Sequence, residues 1–434
     1  MKIAFFKEII SPEVGAYLAG YSLNDKSVMK LDDLYATGLC VDDGTNKVLL
    51  ISLDLLGLDG VFIQRVRKEC AAILSVPESA VMLTPTHTHT GPETRTLAAK
   101  PEQLNTAYLE KLEKTLLKAV EGLKDFRECK TYFYSSTCDE NRSRRYVTAD
   151  NHSTFTPHRR EVLPCAIGFA DKELGQLYFT DAVTGLPVYV VGNYAAHPLA
   201  GHCPGLGGLR ISADFPGAFR DYILAETGAE AMFVSGAAGD MVPREDELGS
   251  EAAKGMGIRL AKGVLGGMMD ATRNPGRFLM KDAKVGSSIR TFTVPLRKKY
   301  RNNPKRLPAP YLGKEDVTLE IQCLAIGDIC FVGVPGELCA ELGQEIKWHS
   351  PFRRTFIAYD ATAYFSYIGP ANFFVAGGYE AFSQRFTARG GLELVKTASD
   401  AMFDLREELY PSEEADDPYP DNCADTLVNI PPNR

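Results

Sequence analysis

Apolar residues of this chain fall into short runs of strand length, separated by polar turn residues. Residues 35–41 and 48–53 are two such runs, and Asp42-Asp43-Gly44-Thr45-Asn46 between them is a turn signal. Residues 60–75 then place apolar side chains at helical spacing, and an apolar run begins again at Val81. The pattern therefore predicts a strand hairpin, then a helix, then another strand.

The same order recurs later in the chain. The unit at residues 317–348 repeats the one at residues 35–78, with Pro335-Gly336-Glu337 predicted to open its helix. This echo suggests two related halves, although one sequence cannot prove a repeat. We therefore predict an α/β fold, in which mixed β-sheets are built from strand-hairpin-helix units with the helices packed outside. The other elements predicted in this way are strands at 166–170, 176–179, 188–191 and 231–234, and helices at 103–123, 212–226 and 247–269.

Composition narrows the class of protein. The 434 residues are 45% apolar and 24% charged, as in ordinary soluble globular proteins. A net charge of -8 argues against nucleic acid as a partner, and no apolar run is long enough for a transmembrane segment. The ten cysteines form no CxxC pairs and the first residues lack a signal-peptide pattern, so we expect a reduced, cytoplasmic protein.

Domain organisation follows from the same patterns. Residues 1–410 are predicted to form one large domain. Residues 411–434 are acidic and proline-rich, and we expect this tail to pack peripherally or to fray. The oligomeric state cannot be predicted.

A histidine motif follows the strand that begins at Val81. It reads Thr86-His87-Thr88-His89-Thr90-Gly91-Pro92, and it holds two of only 7 histidines in the chain. Histidines at positions i and i+2 of an extended strand point to the same side, and imidazole is a common metal ligand. The alternative is that this His-x-His spacing is incidental.

Other predicted strands also end in polar residues next to glycine or proline. They are followed by His197, Asp240, Glu337 and the segment 364–367. Ligands collect at the strand ends of α/β sheets. Two histidines from separate strands and one glutamate are typical of a catalytic zinc site with an open position. Such a metal activates water at neutral pH, which indicates a hydrolase acting on a small-molecule substrate.

Residues 129–162 are predicted to be irregular and rich in arginine. One interpretation is a solvated, charged loop. The other is a pocket wall whose guanidinium groups hold a carboxylate, a phosphate or a polar carbonyl. The arginines concerned are Arg142, Arg144, Arg145, Arg159 and Arg160.

Taken together, these motifs resemble the neutral/alkaline non-lysosomal ceramidase family, zinc amidases that cleave an N-acyl bond. The resemblance extends over most of the chain and rests on the number and order of short motifs. The matching segments are Lys7 to Pro12, Leu18-Ala19-Gly20-Tyr21, His87 to Pro92, Asn141-Arg142-Ser143, Asn193 to His197, Gly239-Asp240-Met241-Val242-Pro243, Val334-Pro335-Gly336-Glu337, Ala363 to Ile368 and Tyr379-Glu380.

The resemblance implies a role for individual residues. It makes zinc ligands of four residues and places four others in the catalytic machinery. In the implied mechanism, zinc hydroxide attacks a carbonyl, His89 shuttles a proton, and Tyr379 or Arg142 helps zinc to stabilise the oxyanion. For Tyr379, a core aromatic is the alternative. The implied zinc ligands are His87, His197, Glu337 and Tyr367, and the implied catalytic residues are His89, Arg142, Tyr379 and Asp240.

Three departures from the family pattern bear on the substrate. Val242 stands where the family has serine, residues 369–374 replace an acidic, tyrosine-rich stretch, and the resemblance covers the catalytic domain only. We therefore expect a soluble, anionic or sugar-like amide or ester rather than ceramide. The alternatives are a carbohydrate-active metal enzyme on the same scaffold and a catalytically degenerate member that binds a ligand.

Overall fold

The computed structural model describes residues 1–20, 24–96, 103–148, 151–154, 164–201, 209–244 and 249–411. Most of the strands follow the predicted apolar runs. They are β1 (Lys2–Ile9), β2 (Met29–Lys30), β3 (Tyr35–Asp42), β4 (Lys47–Leu53), β5 (Val81–Pro85), β6 (Arg127–Thr137), β7 (Asn141–Ser143), β8 (Tyr146–Thr148), β9 (Ser153–Thr154), β10 (Pro164–Ile167), β11 (Glu173–Asp181), β12 (Pro187–Tyr194), β13 (Arg210–Ile211), β14 (Glu230–Ser235), β15 (Met241–Pro243), β16 (Val285–Pro295), β17 (Asp316–Ile326), β18 (Ile329–Gly333), β19 (Gly336–Leu338), β20 (Arg354–Ala358) and β21 (Ser366–Ile368).

The helices carry apolar residues on the side that faces the sheets. In the part of the chain that the structure describes, none of them is both long enough and apolar enough to cross a bilayer. They are α1 (Gly60–Leu74), α2 (Thr106–Glu121), α3 (Asp214–Thr227), α4 (Ser250–Arg273), α5 (Pro275–Phe278), α6 (Ala340–Trp348), α7 (Ala371–Ala376), α8 (Tyr379–Ser383) and α9 (Arg389–Leu409).

Two large sheets pack against each other. One has eight strands in the order β14-β12-β11-β6-β1-β3-β4-β5, and the other has four in the order β16-β17-β18-β20. Strand β4 shows why the runs are continuously apolar: Val48 and Leu50 face the second sheet, while Leu49 and Ile51 face α1 and α2. Burial on both faces removes the alternation of apolar and polar residues that a half-exposed strand would show. The predicted α/β class, with mixed sheets inside and helices outside, is confirmed.

The repeated unit occurs three times. In each copy the second and third strands form an antiparallel hairpin, a helix follows, and the fourth strand lies parallel to the third. The predicted echo is thus present, and residues 127–235 hold a third copy that the sequence analysis did not separate from the others. The copies are β1-β3-β4-β5 with α1, β6-β11-β12-β14 with α3, and β16-β17-β18-β20 with α6.

Several predictions were wrong in detail. Residues 129–137 were expected to be irregular but belong to the long strand β6, which joins the first two copies by pairing with both β1 and β11. Glu337 does not open a helix, because it lies in β19 and α6 begins three residues later at Ala340. Strand β1 and helix α9 were not predicted. The acidic tail beyond Pro411 lies outside the described residues.

Candidate metal centre

The parallel strands of the three copies end at one place, and a buried polar residue follows both the third and the fourth strand of each copy. Hydrogen bonds join these ends: Tyr359 N–H donates to the Ser235 carbonyl at 3.1 Å, and Ser235 Oγ donates to the Thr86 carbonyl at 2.7 Å. Each copy thus places two buried polar residues at these strand ends: Asp54 and His87, His197 and Asp240, and Glu337 and Asp360. Four of the six residues, one or two from each copy, contact one another: His87, His197, Glu337 and Asp360.

His87 reaches the centre from a turn and not from a strand. Strand β5 ends at Pro85, and His87 has a left-handed backbone with φ of 69°. The expectation that His87 and His89 lie on an extended strand was therefore wrong. Nδ1 of His87 lies 2.8 Å from Oδ2 of Asp360, and its Nε2 lies 3.6 Å from Oε2 of Glu337. Burial lowers the pKa of His87 to about 3, so the ring is neutral at pH 7.

A backbone carbonyl orients His197 in the way that the Asp360 carboxyl group orients His87. Its Nδ1 lies 3.0 Å from the carbonyl oxygen of Met241, which can only accept, so this nitrogen carries the proton. Its Nε2 lies 3.3 Å from Oε2 of Glu337. Both histidines thus turn Nδ1 outwards and Nε2 towards the same carboxylate oxygen, an arrangement typical of metal-binding histidines.

His89 completes a group of three histidines. The ligand atoms of His87, His89 and His197 lie within 4.8 Å of one another. Gly20 provides the space for His89, because a Cβ at Gly20 would lie 2.5 Å from Nδ1 of that ring. Ala19 N–H also donates to the Gly91 carbonyl at 3.0 Å. The N-terminal motif therefore supports the His87–Pro92 turn.

Glu337 is held by tyrosines. Tyr364 donates its hydroxyl to Oε1 at 2.6 Å, and Tyr359 donates to Oε2 at 3.2 Å. Both hydroxyls stabilise the ionised form of the carboxylate. Glu337 also pairs with Tyr367 in the parallel contact of β19 with β21, which fixes these two residues side by side.

Tyr367 and Tyr379 lie on the next side of the centre. Their ring centroids are 5.2 Å apart, and the hydroxyl of Tyr367 accepts from Nη2 of Arg144 at 3.3 Å. The same Nη2 lies 2.8 Å from the carbonyl oxygen of Gly239. Tyr379 is 44% exposed, so it is no core aromatic.

The two neighbouring arginines differ in placement. Arg142 pairs through its backbone with Val242 and lines a shallow pocket of about 350 Å³ together with Asp139, Lys172 and Arg244. Arg144 is the arginine that the structure brings to Tyr367. Of the remaining arginines in the predicted loop, Arg145 is buried and binds Glu380, and Arg159 and Arg160 lie outside the described residues.

Asp240 acts on the backbone around Glu337. Its Oδ1 accepts from Ala340 N–H at 2.8 Å, at the start of α6, while Gly239 approaches so closely that a Cβ there would lie 2.7 Å from the Glu337 carbonyl oxygen. Burial raises the pKa of Asp240 to about 7 in spite of the hydrogen bond from Ala340. The Gly239-Asp240 motif therefore positions the segment that carries Glu337.

The donor set fits a divalent metal such as zinc. Ligand atoms around a tetrahedral zinc lie roughly 3.4 Å apart, which matches the 3.6 and 3.3 Å between Glu337 and the two histidines. The sequence analysis missed Asp360, Tyr359 and the position of Arg144, and it included Tyr364 only as part of the segment 364–367 without a role of its own. Asp360 carried a usable signal, because it follows an apolar strand in the third copy as Asp54 does in the first.

Comparisons with known proteins support the fold. Neutral ceramidase from Pseudomonas aeruginosa superimposes with a TM-score of 0.76 at 16% identity, over 94% of this chain and 74% of that one. A ceramidase complexed with C2 gives a TM-score of 0.76 at 16% identity, over 94% of this chain and 75% of its own. No protein-family model and no curated protein matched the chain. The resemblance inferred from the motifs is thus confirmed for the fold.

Proposed function

We propose, from the premise that this chain has the fold of neutral ceramidase, that it is a zinc-dependent hydrolase of amide or ester bonds. The observation that carries this proposal is the convergence of His87 and His197 on one oxygen of Glu337, each with its Nδ1 turned outwards. His87, His197 and Glu337 would hold the metal, with Tyr367 as the fourth ligand. Bound zinc supplies a Lewis acid that polarises a carbonyl and lowers the pKa of water.

The residues around the metal would carry the proton transfers and the charge. His89 would shuttle the proton from attacking water to the leaving group, because its ligand atom lies within 4.8 Å of those of His87 and His197. Burial lowers the pKa of His89 well below its usual value, so the ring is neutral at pH 7. Arg144 and Tyr379 lie where a guanidinium and a phenol could stabilise a developing oxyanion. Val242 has no hydroxyl, so the nucleophile is water and not the side chain at that position.

The substrate is proposed to be a soluble amide or ester, and the location cytoplasmic. A panel of N-acyl amides, esters, glycosides and ceramide tests the substrate class. Turnover of glycosides alone would favour the carbohydrate-active alternative, and turnover of ceramide at the rate of the best soluble substrate would contradict the soluble class.

Metal analysis of the purified chain tests the centre itself. We expect about one zinc per chain in the wild type, and its loss in His87→Ala and Glu337→Ala. The exposed His349, at the end of α6, provides the control, since His349→Ala should keep the metal. Wild-type protein that takes up no metal after incubation with zinc would overturn the proposal, even if it were fully folded by circular dichroism.

A further inference from the structure

Arg385 lies between α8 and α9, directly behind the tyrosine segment of the metal centre. Its backbone N–H donates to Ser366 Oγ at 2.9 Å, and Nη1 of its guanidinium donates to the carbonyl of Phe365. Phe365 follows Tyr364, the tyrosine that binds Glu337. The guanidinium of Arg385 is thus tied to the same short segment that holds a proposed zinc ligand.

No carboxylate of the described residues forms an ion pair with this guanidinium. Its Nε is buried and makes no hydrogen bond to any of the residues that the structure describes. No carboxylate of those residues lies within 4 Å of Arg385 or of Arg306, whose guanidinium stacks 4.7 Å from the ring centroid of Phe382. Arg95 does have a counter-charge, because Glu93 binds it through two hydrogen bonds of 2.8 Å.

The surroundings of Arg385 leave it charged and favour the binding of an anion. Burial lowers its pKa to about 10. The positive charges of Arg95 and Arg306 also lower it, whereas Tyr364 and the more weakly acting Glu337 raise it. The group still carries its proton at pH 7. A buried cation without an ion-pair partner is costly, and the unpartnered Nε–H of a planar guanidinium can donate to an oxyanion.

We propose that Arg385, together with Arg306, binds an oxyanion group of the substrate, a carboxylate or a phosphate, beside the metal centre. The substrate would then be an amide or ester with a negative charge on the part that lies against the segment Tyr364–Ser366. That the anion belongs to a substrate rests on the proposed function, whereas the binding of an anion at Arg385 does not.

Titration calorimetry tests the anion site without catalysis. The probes are acetate and inorganic phosphate, added to the full zinc-loaded chain at constant ionic strength. We expect at least one probe to bind, and Arg385→Gln to weaken it by about tenfold or more, as for the loss of hydrogen bonds to a charged group. The affinity of Arg385→Lys for the probe should lie between those of the wild type and Arg385→Gln. Arg306→Gln should also weaken binding of the probe. The probe that binds identifies the oxyanion as a carboxylate or a phosphate.

The control is Arg389→Gln, because Arg389 is an exposed arginine four residues further on that pairs with Glu393. It should bind the probe as the wild type does. Failure of both probes to bind wild type, or equal binding by wild type, Arg385→Gln and Arg306→Gln, would overturn the proposal.

A matched pair of substrates extends the test to turnover. We expect an N-acylglycine to be hydrolysed with a lower KM than its uncharged N-acylglycinamide, and Arg385→Gln to remove that preference. A preference that survives in Arg385→Gln would contradict the anion site. Anion binding that depends on Arg385 in a protein without zinc or hydrolysis would instead overturn the proposed function and leave the anion site intact.

Discussion

Oδ2 of Asp360 lies 2.8 Å from Nδ1 of His87, and both residues have left-handed backbones, with φ of 50° and 69°. Two non-glycine residues in this region face each other across the junction of the two large sheets. Such conformations persist where the surrounding structure determines them, and they are frequent at functional sites. The contact holds the His87 ring with Nε2 towards Glu337.

Asp360→Asn should weaken zinc binding. The carboxylate raises the basicity of His87 and fixes its orientation, and loss of such an outer partner costs about 10–100-fold in metal affinity. Competition with a chromophoric zinc chelator measures the effect. Asp316→Asn, at an exposed aspartate at the start of β17, should leave the affinity at the wild-type value. Equal affinities in all three proteins would contradict the role of Asp360.

Arg144→Gln should lower kcat/KM by about 100-fold, as for the loss of one oxyanion donor. Arg144 is the arginine that contacts Tyr367, whereas Arg142 lies on the shallow pocket beside Asp139. Arg142→Gln should therefore cost less activity than Arg144→Gln. Steady-state kinetics on one amide substrate decides between them. A larger loss in Arg142→Gln would return the catalytic role to the residue that the motif indicates.

Part of this picture could be predicted from the sequence, because strand length and helical spacing are local properties. The strand ends that carry His197 and Glu337 were located from apolar runs alone. The partner of His87 could not be located in this way, because Asp360 meets His87 only after the third copy packs on the first. Tyrosine as a ligand came from family resemblance and not from spacing. The choice between Arg142 and Arg144 could not be made from the sequence either, because β7 ends at Ser143 and it is the chain after this end that brings Arg144 to Tyr367.

Asp240→Asn should change the pH dependence of stability. The pKa of Asp240 is about 7 in the folded protein because of burial, against 3.8 for an ordinary aspartate. Between these two pH values the folded state binds a proton that the unfolded state has lost. The stabilisation that this proton gives the folded state is complete below pH 4 and is lost as the pH rises through 7. Relative to wild type, the asparagine variant should become more stable from pH 4 to pH 7, as measured by urea unfolding.

Asp181 is the control for that measurement. Hydrogen bonds from Thr184, then Val183, lower the pKa of its exposed carboxyl. Its contribution to stability is complete above pH 4 and is lost only at lower pH. Asp181→Asn should therefore differ from wild type by a constant amount between pH 4 and pH 7. A constant difference for Asp240→Asn as well would show that Asp240 is ionised throughout.

Arg220→Met should destabilise the fold strongly. Arg220 is buried and binds Asp54 through Nη1, at 3.0 Å, and through Nη2. Asp54 also accepts from Tyr35 N–H at 2.9 Å. Removing the cation leaves a buried carboxylate without its partner, which should lower the free energy of unfolding by about 3–5 kcal/mol.

The matched control is Arg65→Met. Arg65 makes an equally well-formed pair with Glu113, with N–O distances of 2.8 Å, but it is exposed. Loss of this exposed pair should lower the free energy of unfolding by about 1 kcal/mol or less. Urea unfolding of both variants gives the comparison, and similar losses would contradict the importance of burial.

The metal centre draws on all three copies of the repeated unit, and this has a consequence for the order of assembly. A growing chain that has completed the eight-stranded sheet holds both His87 and His197 but neither Glu337 nor Asp360. Metal binding releases its full free energy only when every ligand is in place. Zinc would therefore stabilise the finished molecule over its partly folded intermediates, so that the concentration of free metal in the compartment sets how far the last sheet stays docked.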